Sequence, residues 1–310
     1  MSPQRQKLTV ICPVRNEDKV VPLFFERFLP VREKLQNKFD IELLFTNNAS
    51  SDSTLDILRA LKAEHSFVYF ITISRDVGYQ ASLECGLRKA QGDLFVFIDV
   101  DCEDPPEMIE EFVHWYEQGF DIVYGERVDR TEPKSLVLGR KLFYRILKAV
   151  ADDDVILDMA EFSIMTREVR DAISFDKTSF PFIRASIGRV GFRRKGIPYK
   201  RHKRVAGQTH FRLLGMIYFA IAGILASSTL FLRLPIFLLP FWVVAVIALC
   251  IYRILHPNLW VDSLLICVIA LYLGVCLSFM SVYLGRTYKN SLGRPNFIIS
   301  HKDSVLQDEH

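Results

Sequence analysis

Leu94-Phe95-Val96-Phe97-Ile98-Asp99-Val100-Asp101-Cys102-Glu103-Asp104-Pro105-Pro106-Glu107 is the stretch on which the reading of this chain turns. An apolar run of strand length ends abruptly in carboxylates, and a proline pair then opens a helix. A buried strand that delivers Asp99 and Asp101 to its C-terminal edge is how an α/β sheet presents a divalent cation to a ligand. Two acids two residues apart also occur by chance in loops, so the neighbouring segments must decide.

Upstream, the apolar run 8–12 ends in Pro13-Val14-Arg15-Asn16-Glu17, and residues 20–35 carry apolar residues at helical spacing. A second strand over 41–45 runs into the polar turn Thr46-Asn47-Asn48-Ala49-Ser50-Ser51-Asp52-Ser53-Thr54, then a helix through Leu55, Leu58 and Leu61. A third strand over 67–73 meets Ser74-Arg75-Asp76-Val77-Gly78 and a helix near 81–90. Downstream, Pro105 starts a helix and 121–124 makes a fifth strand. This alternation predicts an α/β domain with a mostly parallel sheet covered on both faces. Ligands of such sheets sit beyond the C-terminal strand ends, where four polar clusters here converge. Neither G-x-G-x-x-G nor G-x-x-x-x-G-K-[ST] occurs, so the edge is neither a usual dinucleotide site nor a P-loop.

The 310 residues leave room for one sizeable domain and something smaller. A formal charge of +3 gives no argument for a nucleic-acid partner. Hydrophobic residues concentrate in 213–284, where charges nearly vanish. The uncharged runs between Arg233 and Arg253 and between Asp262 and Arg286 are each long enough to cross a bilayer. Their short link predicts a transmembrane hairpin of about 234–254 and 263–285 within a unit 233–288. A basic cluster (Arg193, Arg194, Lys195, Lys200, Arg201, His202, Lys203, Arg204) precedes the hairpin and faces anionic lipid headgroups. Arg286, Lys289, Arg294 and Lys302 follow it, so positive-inside bias places both ends in the cytoplasm. Segment 213–232 is also uncharged; a third span would contradict that bias, and interfacial helices are expected there. The expected division is a cytoplasmic α/β domain 1–212, juxtamembrane helices 213–232, the hairpin, and a cytoplasmic tail 289–310. The six cysteines include no C-x-x-C pair and read as reduced packing residues; the N-terminus carries no signal-peptide pattern.

At this point the chain resembles the inverting GT-A glycosyltransferases of family 2. The resemblance rests on Pro13-x-x-Asn16-Glu17, the 47–54 turn, Arg75-x-x-Gly78 and Asp99-x-Asp101-x-x-Asp104-Pro105-Pro106-Glu107. Arg204-x-x-Gly207-Gln208-Thr209, the run Tyr283-Leu284-Gly285-Arg286-Thr287-Tyr288 and Arg294-Pro295 narrow it to polyprenyl-phosphate glycosyltransferases. These include bactoprenol glucosyltransferases and dolichol-phosphate mannose synthases. The resemblance implies sugar transfer from a nucleotide sugar, uridine-linked as first choice, to a polyprenyl (undecaprenyl or dolichyl) phosphate at the bacterial inner membrane. It also makes a homotetramer plausible. Pro13, Asn16, Glu17, Asn48, Ser50, Asp52, Arg75, Gly78 and Asp99 would then bind the nucleotide sugar. Asp99, Asp101 and Glu161 would be catalytic. Arg127, Arg130, Arg140, Arg204 and Thr209 would meet the acceptor phosphate or the pyrophosphate. Mg²⁺ or Mn²⁺ would sit on Asp99 and Asp101.

Four departures from the family pattern stand out. Asn48-Ala49 replaces a common Asp-Gly, and an amide donates as well as accepts, which bears on base preference. Glu103 replaces a usual Gln; in an extended stretch it shares a face with Asp99 and Asp101 and offers the metal a third carboxylate. Ala160-Glu161-Phe162-Ser163 stands for Gly-Asp-Phe-Arg, losing a cation, and His210 replaces a Lys. A processive polysaccharide synthase is the second reading, though no Q-x-x-R-W is present. A catalytically silent GT-A membrane scaffold is the third.

Overall fold

The computed structural model describes residues 5–128, 156, 159–175, 178–202, 225 and 228–306. Seven strands pair into one sheet: β1 (Gln6–Val14), β2 (Phe39–Asn47), β3 (Val68–Thr72), β4 (Leu94–Phe97), β5 (Ile122–Val128), β6 (Met159–Thr166) and β7 (Arg194–Lys200). Their order is β3-β2-β1-β4-β6-β5-β7. Only β6 runs against its neighbours: β4 and β5 both pair with it antiparallel, and the other pairs are parallel. The expected mostly parallel α/β sheet is therefore present, with two strands that periodicity did not reveal. β6 hides its pattern by burying Glu161 and Ser163 among apolar residues. β7 is a cationic edge strand with a proline, a composition that edges tolerate and sheet centres do not.

Helices α1 (Val21–Leu35), α2 (Thr54–Glu64) and α4 (Met108–Glu117) contribute to one apolar cluster with Leu8, Val10 and Cys12 of β1. Helices α3 (Tyr79–Lys89), α5 (Arg167–Ser174) and α6 (Ile183–Val190) join a second cluster with Ile11 and Phe95. With both faces covered, central strands bury nearly every side chain and read as continuous apolar runs. α3 lies so close to β1 that a Cβ on Gly86 would stand 2.4 Å from Ile11 Cγ2. The helix after Pro105-Pro106 starts at Met108, not at Pro105. Met108 N donates to Pro105 O at 3.1 Å and Ile109 N to Pro106 O at 3.0 Å, a tight turn that feeds the helix.

The two apolar runs form α7 (Leu230–Leu255) and α8 (Leu259–Ser291), both long and apolar enough to cross a membrane. At about 1.5 Å per residue, α8 is longer than the roughly 30 Å hydrocarbon core requires. Trp242 stacks on Tyr272 at 4.6 Å and Phe231 on Phe279 at 5.3 Å, which ties the pair together. Arg253 pairs with Asp262 beside the link.

Beyond α8 the chain returns to the sheet. Single antiparallel bridges join Val305 to Phe70 and Ile299 to Ile73, so this strap covers the open edge of β3. Ser304 Oγ accepts from Thr72 N at 2.8 Å, Arg59 pairs with Asp303 at 2.9 Å, and Asn296 donates to Glu84 at 2.7 Å. Segment 213–232, expected as interfacial helices, lies almost wholly outside the described residues. The basic cluster before it is not a free loop facing lipid over its first half. Arg194 to Lys200 form β7, and Lys195 lies over the Trp115 ring at 4.6 Å.

Candidate functional site

Among the described residues, three non-glycine residues adopt left-handed backbone: Asn16 (φ 53°), Ala49 (φ 52°) and Cys102 (φ 57°). Each follows a parallel strand, β1, β2 or β4, at the same sheet edge. Such turns concentrate where backbone is bent to present a site. Ala49 occupies the position where the family pattern carries glycine, and the left-handed φ supplies the physical reason for that glycine.

Hydrogen bonds join the loops at this edge. Asn16 N donates to Ser50 Oγ at 3.0 Å, and Asn16 Oδ1 accepts from Ser51 N at 2.8 Å. Glu17 N donates to Thr54 Oγ1 at 2.9 Å, while Asp52 accepts from Asp18 N at 3.2 Å and Thr54 N at 3.0 Å. Burial alone would raise the Asp52 carboxyl, yet these bonds hold it below the usual carboxylate range. Asn48, 4% exposed, uses its amide in both senses: Nδ2 donates to Asp76 at 2.8 Å, and Oδ1 accepts from Val77 N at 3.0 Å. An aspartate at 48 would lose that donor and set two carboxylates together. Asp76 also pairs with Arg15 and accepts from Gly78 N at 2.9 Å. Burial pushes its carboxyl up, but the Gly78 and Asn48 bonds and Arg15 bring it below the usual range.

The acids of the opening stretch divide. Asp99, half-buried, accepts from Tyr79 Oη at 2.7 Å. Removal from water, with Asp104 and Asp101 nearby, pushes its carboxyl up to about 7 against Tyr79 and Arg127. Asp101 Oδ1 accepts from Glu103 N at 3.1 Å. The expected third metal carboxylate is not placed with these two. The strand ends at Phe97, Val100 and Asp101 form a turn, and Cys102 is left-handed, so extended alternation does not carry through to Glu103. Glu103 instead pairs with Arg201 at 2.5 Å. Among the described residues no three His, Cys, Asp or Glu side chains gather as a metal cage.

Asp104 is 1% exposed and anchors the loop from below. It accepts from Tyr199 Oη, and Arg127 and Arg201 approach it at 3.4 and 3.3 Å. Burial lowers the Arg127 pKa, but the charge of Asp104 and Tyr199 outweighs it and the net shift is upward. The Arg127 side chain is 14% exposed and also donates to Tyr199 Oη at 3.3 Å, so it supports the acid loop rather than standing open to an incoming phosphate.

Glu161, on β6, is 4% exposed. Its Oε1 accepts from Gln80 Nε2 at 3.0 Å and lies 2.9 Å from Arg184 Nε. Its Oε2 is buried with no hydrogen-bond partner among the described residues. The cation missing at Ser163 thus has a counterpart in Arg184, carried by α6. Asp76 belongs to one of the polar clusters expected at this edge, whereas Tyr79, Gln80, Arg184, Tyr199 and Arg201 were not assigned to the site from the sequence, because each reaches the edge from another element. Pro13 is buried at the end of β1, and Arg75 and Gly78 lie in the loop before α3. Arg130, Arg140, Arg204 and Thr209 lie outside the described residues.

Residues 9–176 match the model of glycosyl transferase family 2. An uncharacterized glycosyltransferase of Bacillus subtilis, YkcC, is 32% identical over 97% of both chains. The bactoprenol glucosyl transferase of Shigella phage SfV is 28% identical, covering 96% of this chain and 99% of that one. Among solved structures, glucosyl-3-phosphoglycerate synthase from Mycobacterium tuberculosis with uridine-diphosphate is 18% identical, covers 71% of this chain and 79% of that chain, and superposes at a TM-score of 0.49.

Proposed function

This chain belongs to glycosyl transferase family 2 and is a glycosyltransferase, and we propose that it moves one sugar from a nucleotide sugar to a polyprenyl monophosphate with inversion. The observation that carries the proposal is an acid-bearing sheet edge fastened, in one chain, to two helices able to cross a membrane. The likeness to the phage bactoprenol glucosyl transferase extends over both parts and supports the same acceptor.

Asp99 and Asp101 fit a divalent cation. Burial lifts Asp99 to about 7, and the repulsion from Asp104 and Asp101 that adds to it is what a cation relieves; two carboxylates suffice when substrate phosphates complete the shell. Mg²⁺ or Mn²⁺ held there would neutralise the leaving diphosphate. Asn16, Asn48 and Ser50 shape the nucleotide end, with Asp52 acting through the loops it pins. Asp76 brings a carboxylate to the side of Asn48, so base recognition at this edge works through the pair. The unpartnered Glu161 Oε2 is an acceptor left for a sugar hydroxyl, and Gln80 and Arg184 hold it in place. The acceptor phosphate is already anionic near neutral pH. Its oxygen bonds to the anomeric carbon as the bond to the diphosphate breaks, the electron pair leaves on the nucleoside diphosphate, and no proton need move. Catalysis is then positioning and charge neutralisation.

The strap supports a two-span topology. It returns from α8 to β3, so the end of the hairpin lies with the sheet, and the charge bias of the sequence supports a cytoplasmic position for that side. The test is incubation of purified protein with Mn²⁺, a panel of nucleotide sugars and a short polyprenyl phosphate. An organic-soluble glycosyl phosphate is expected, and Asp101→Asn removes it with the melting curve unchanged. A wild type that binds nucleotide but makes no product with any donor overturns the proposal.

A further inference from the structure

A cavity of about 850 Å³ lies between the loop before α3, the segment 179–182 and the final turns of α8. Among the described residues, Arg75, Arg286, Lys289 and Arg294 line it, and no carboxylate does. Among the described residues Arg75 and Arg294 have neither a hydrogen bond nor an ion pair, so a concentrated positive charge is left uncompensated. Phe180 forms an apolar wall, with Arg286 4.5 Å and Lys289 5.2 Å from its ring centroid. Ser179 N donates to Asn290 at 2.9 Å and Ser179 Oγ to Lys289 O at 3.1 Å, which docks this wall on the helix. The opposite wall is Tyr79 and Gln80, whose far ends hold Asp99 and Glu161. The cavity therefore runs from the end of an apolar helix to the two side chains, Tyr79 and Gln80, that hold the acids of the site.

Resting on the proposed transfer reaction, we infer that this cavity receives the phosphate monoester of the acceptor lipid. Arg286, Lys289 and Arg294 hold the phosphate, Phe180 packs against the first isoprene unit, and Tyr79 and Gln80 form the gate to the anomeric carbon. A dianionic group matches four cations without a counter-charge, and charge-assisted contacts of this kind dominate phosphate binding. Arg75 shares its loop with Asp76, so one short segment, Arg75 to Gly78, separates the two substrates.

The test uses the full chain in phosphatidylcholine nanodiscs and a short fluorescent polyprenyl monophosphate. The double variant Arg286→Gln/Arg294→Gln is expected to bind it about tenfold more weakly or worse, with nucleotide affinity retained. Polyprenol, which lacks the phosphate, should not distinguish variant from wild type. Equal phosphate-lipid binding by both proteins overturns the cavity assignment and leaves the reaction standing. A wild type with no preference for polyprenyl phosphate over polyprenol overturns the reaction and the assignment together. Competition by equimolar phosphatidylglycerol or by equimolar free phosphate would reassign the cavity to a lipid headgroup or a loose anion, and overturns it too. Should the double variant fail to fold, a diazirine on the first isoprene unit gives the answer in wild type. Labelling within 179–182 or 285–292 is expected; labelling confined to other segments overturns the proposal.

Discussion

At the scale of single residues, Asp99 carries the largest conflict between folding and function. Its carboxyl, raised to about 7, favours the protonated form in the folded state, whereas in the unfolded chain it titrates near 4. The folded protein therefore loses stability as pH rises from about 4 to about 7, and the whole penalty stands above that. Metal-free Asp99→Asn should melt higher than wild type at about pH 8, by about 2–4 °C per kcal/mol recovered, with the gap closing as pH falls toward about 4. Thermal melts in chelator across that range check this, and a gap independent of pH would refute it. Asp104 is the opposite case. Its carboxylate is buried against Arg127, Tyr199 and Arg201, so Asp104→Ala strands buried charge and should cost about 3–5 kcal/mol in chemical denaturation. Ala49 holds a left-handed φ without being glycine, and Ala49→Gly should stabilise by up to about 1 kcal/mol in the same assay.

At the scale of elements, the site depends on how closely α3 approaches the sheet. Its first residues, Tyr79 and Gln80, set the positions of Asp99 and Glu161, and Gly86 further along permits the contact with Ile11 and Thr46. Gly86→Ala should push the helix outward, at about 1–3 kcal/mol and with a loss of transfer larger than the stability change explains. Denaturation and turnover measured on the same preparation separate the two effects. The alternation of β1 to β5 with α1 to α4 was legible because parallel strands buried on both faces are simple apolar runs. β6 was not, since its buried Glu161 and Ser163 are tolerated only through partners such as Gln80, which no local pattern reveals. Glu103, expected as a third carboxylate beside Asp99 and Asp101, turns to Arg201 instead for a related reason. Period-two reasoning holds in extended chain, and here the strand ends at Phe97, with Val100 and Asp101 already in a turn that the left-handed Cys102 continues.

At the scale of the whole molecule, the strap makes membrane helices and sheet one unit. Helix α8 ends at Ser291, and by Asn296 the chain is already bonded to Glu84 and the carbonyl of Thr178. The proposed two-span topology puts the link, at Asn258, on the opposite side of the membrane from Asp303. In a cysteine-free background, Asn258→Cys should react with an impermeant thiol reagent in intact cells. Asp303→Cys should react only after permeabilisation. Labelling of both sites from outside would replace the hairpin with another topology.

The sequence by itself determined the α/β class, the edge at which polar loops gather, the acid pair Asp99 and Asp101, and the two apolar helices. These follow from periodicity and from charge placed at strand ends, which are properties of neighbours along the chain. Only the tertiary structure decided what each acid does. Asp99 is held by Tyr79, Glu103 turns to Arg201, Asp104 becomes an anchor, and Glu161 gains Arg184 from another element. A carboxylate's role depends on the charges and donors within a few ångströms, and folding brings those from distant parts of the chain.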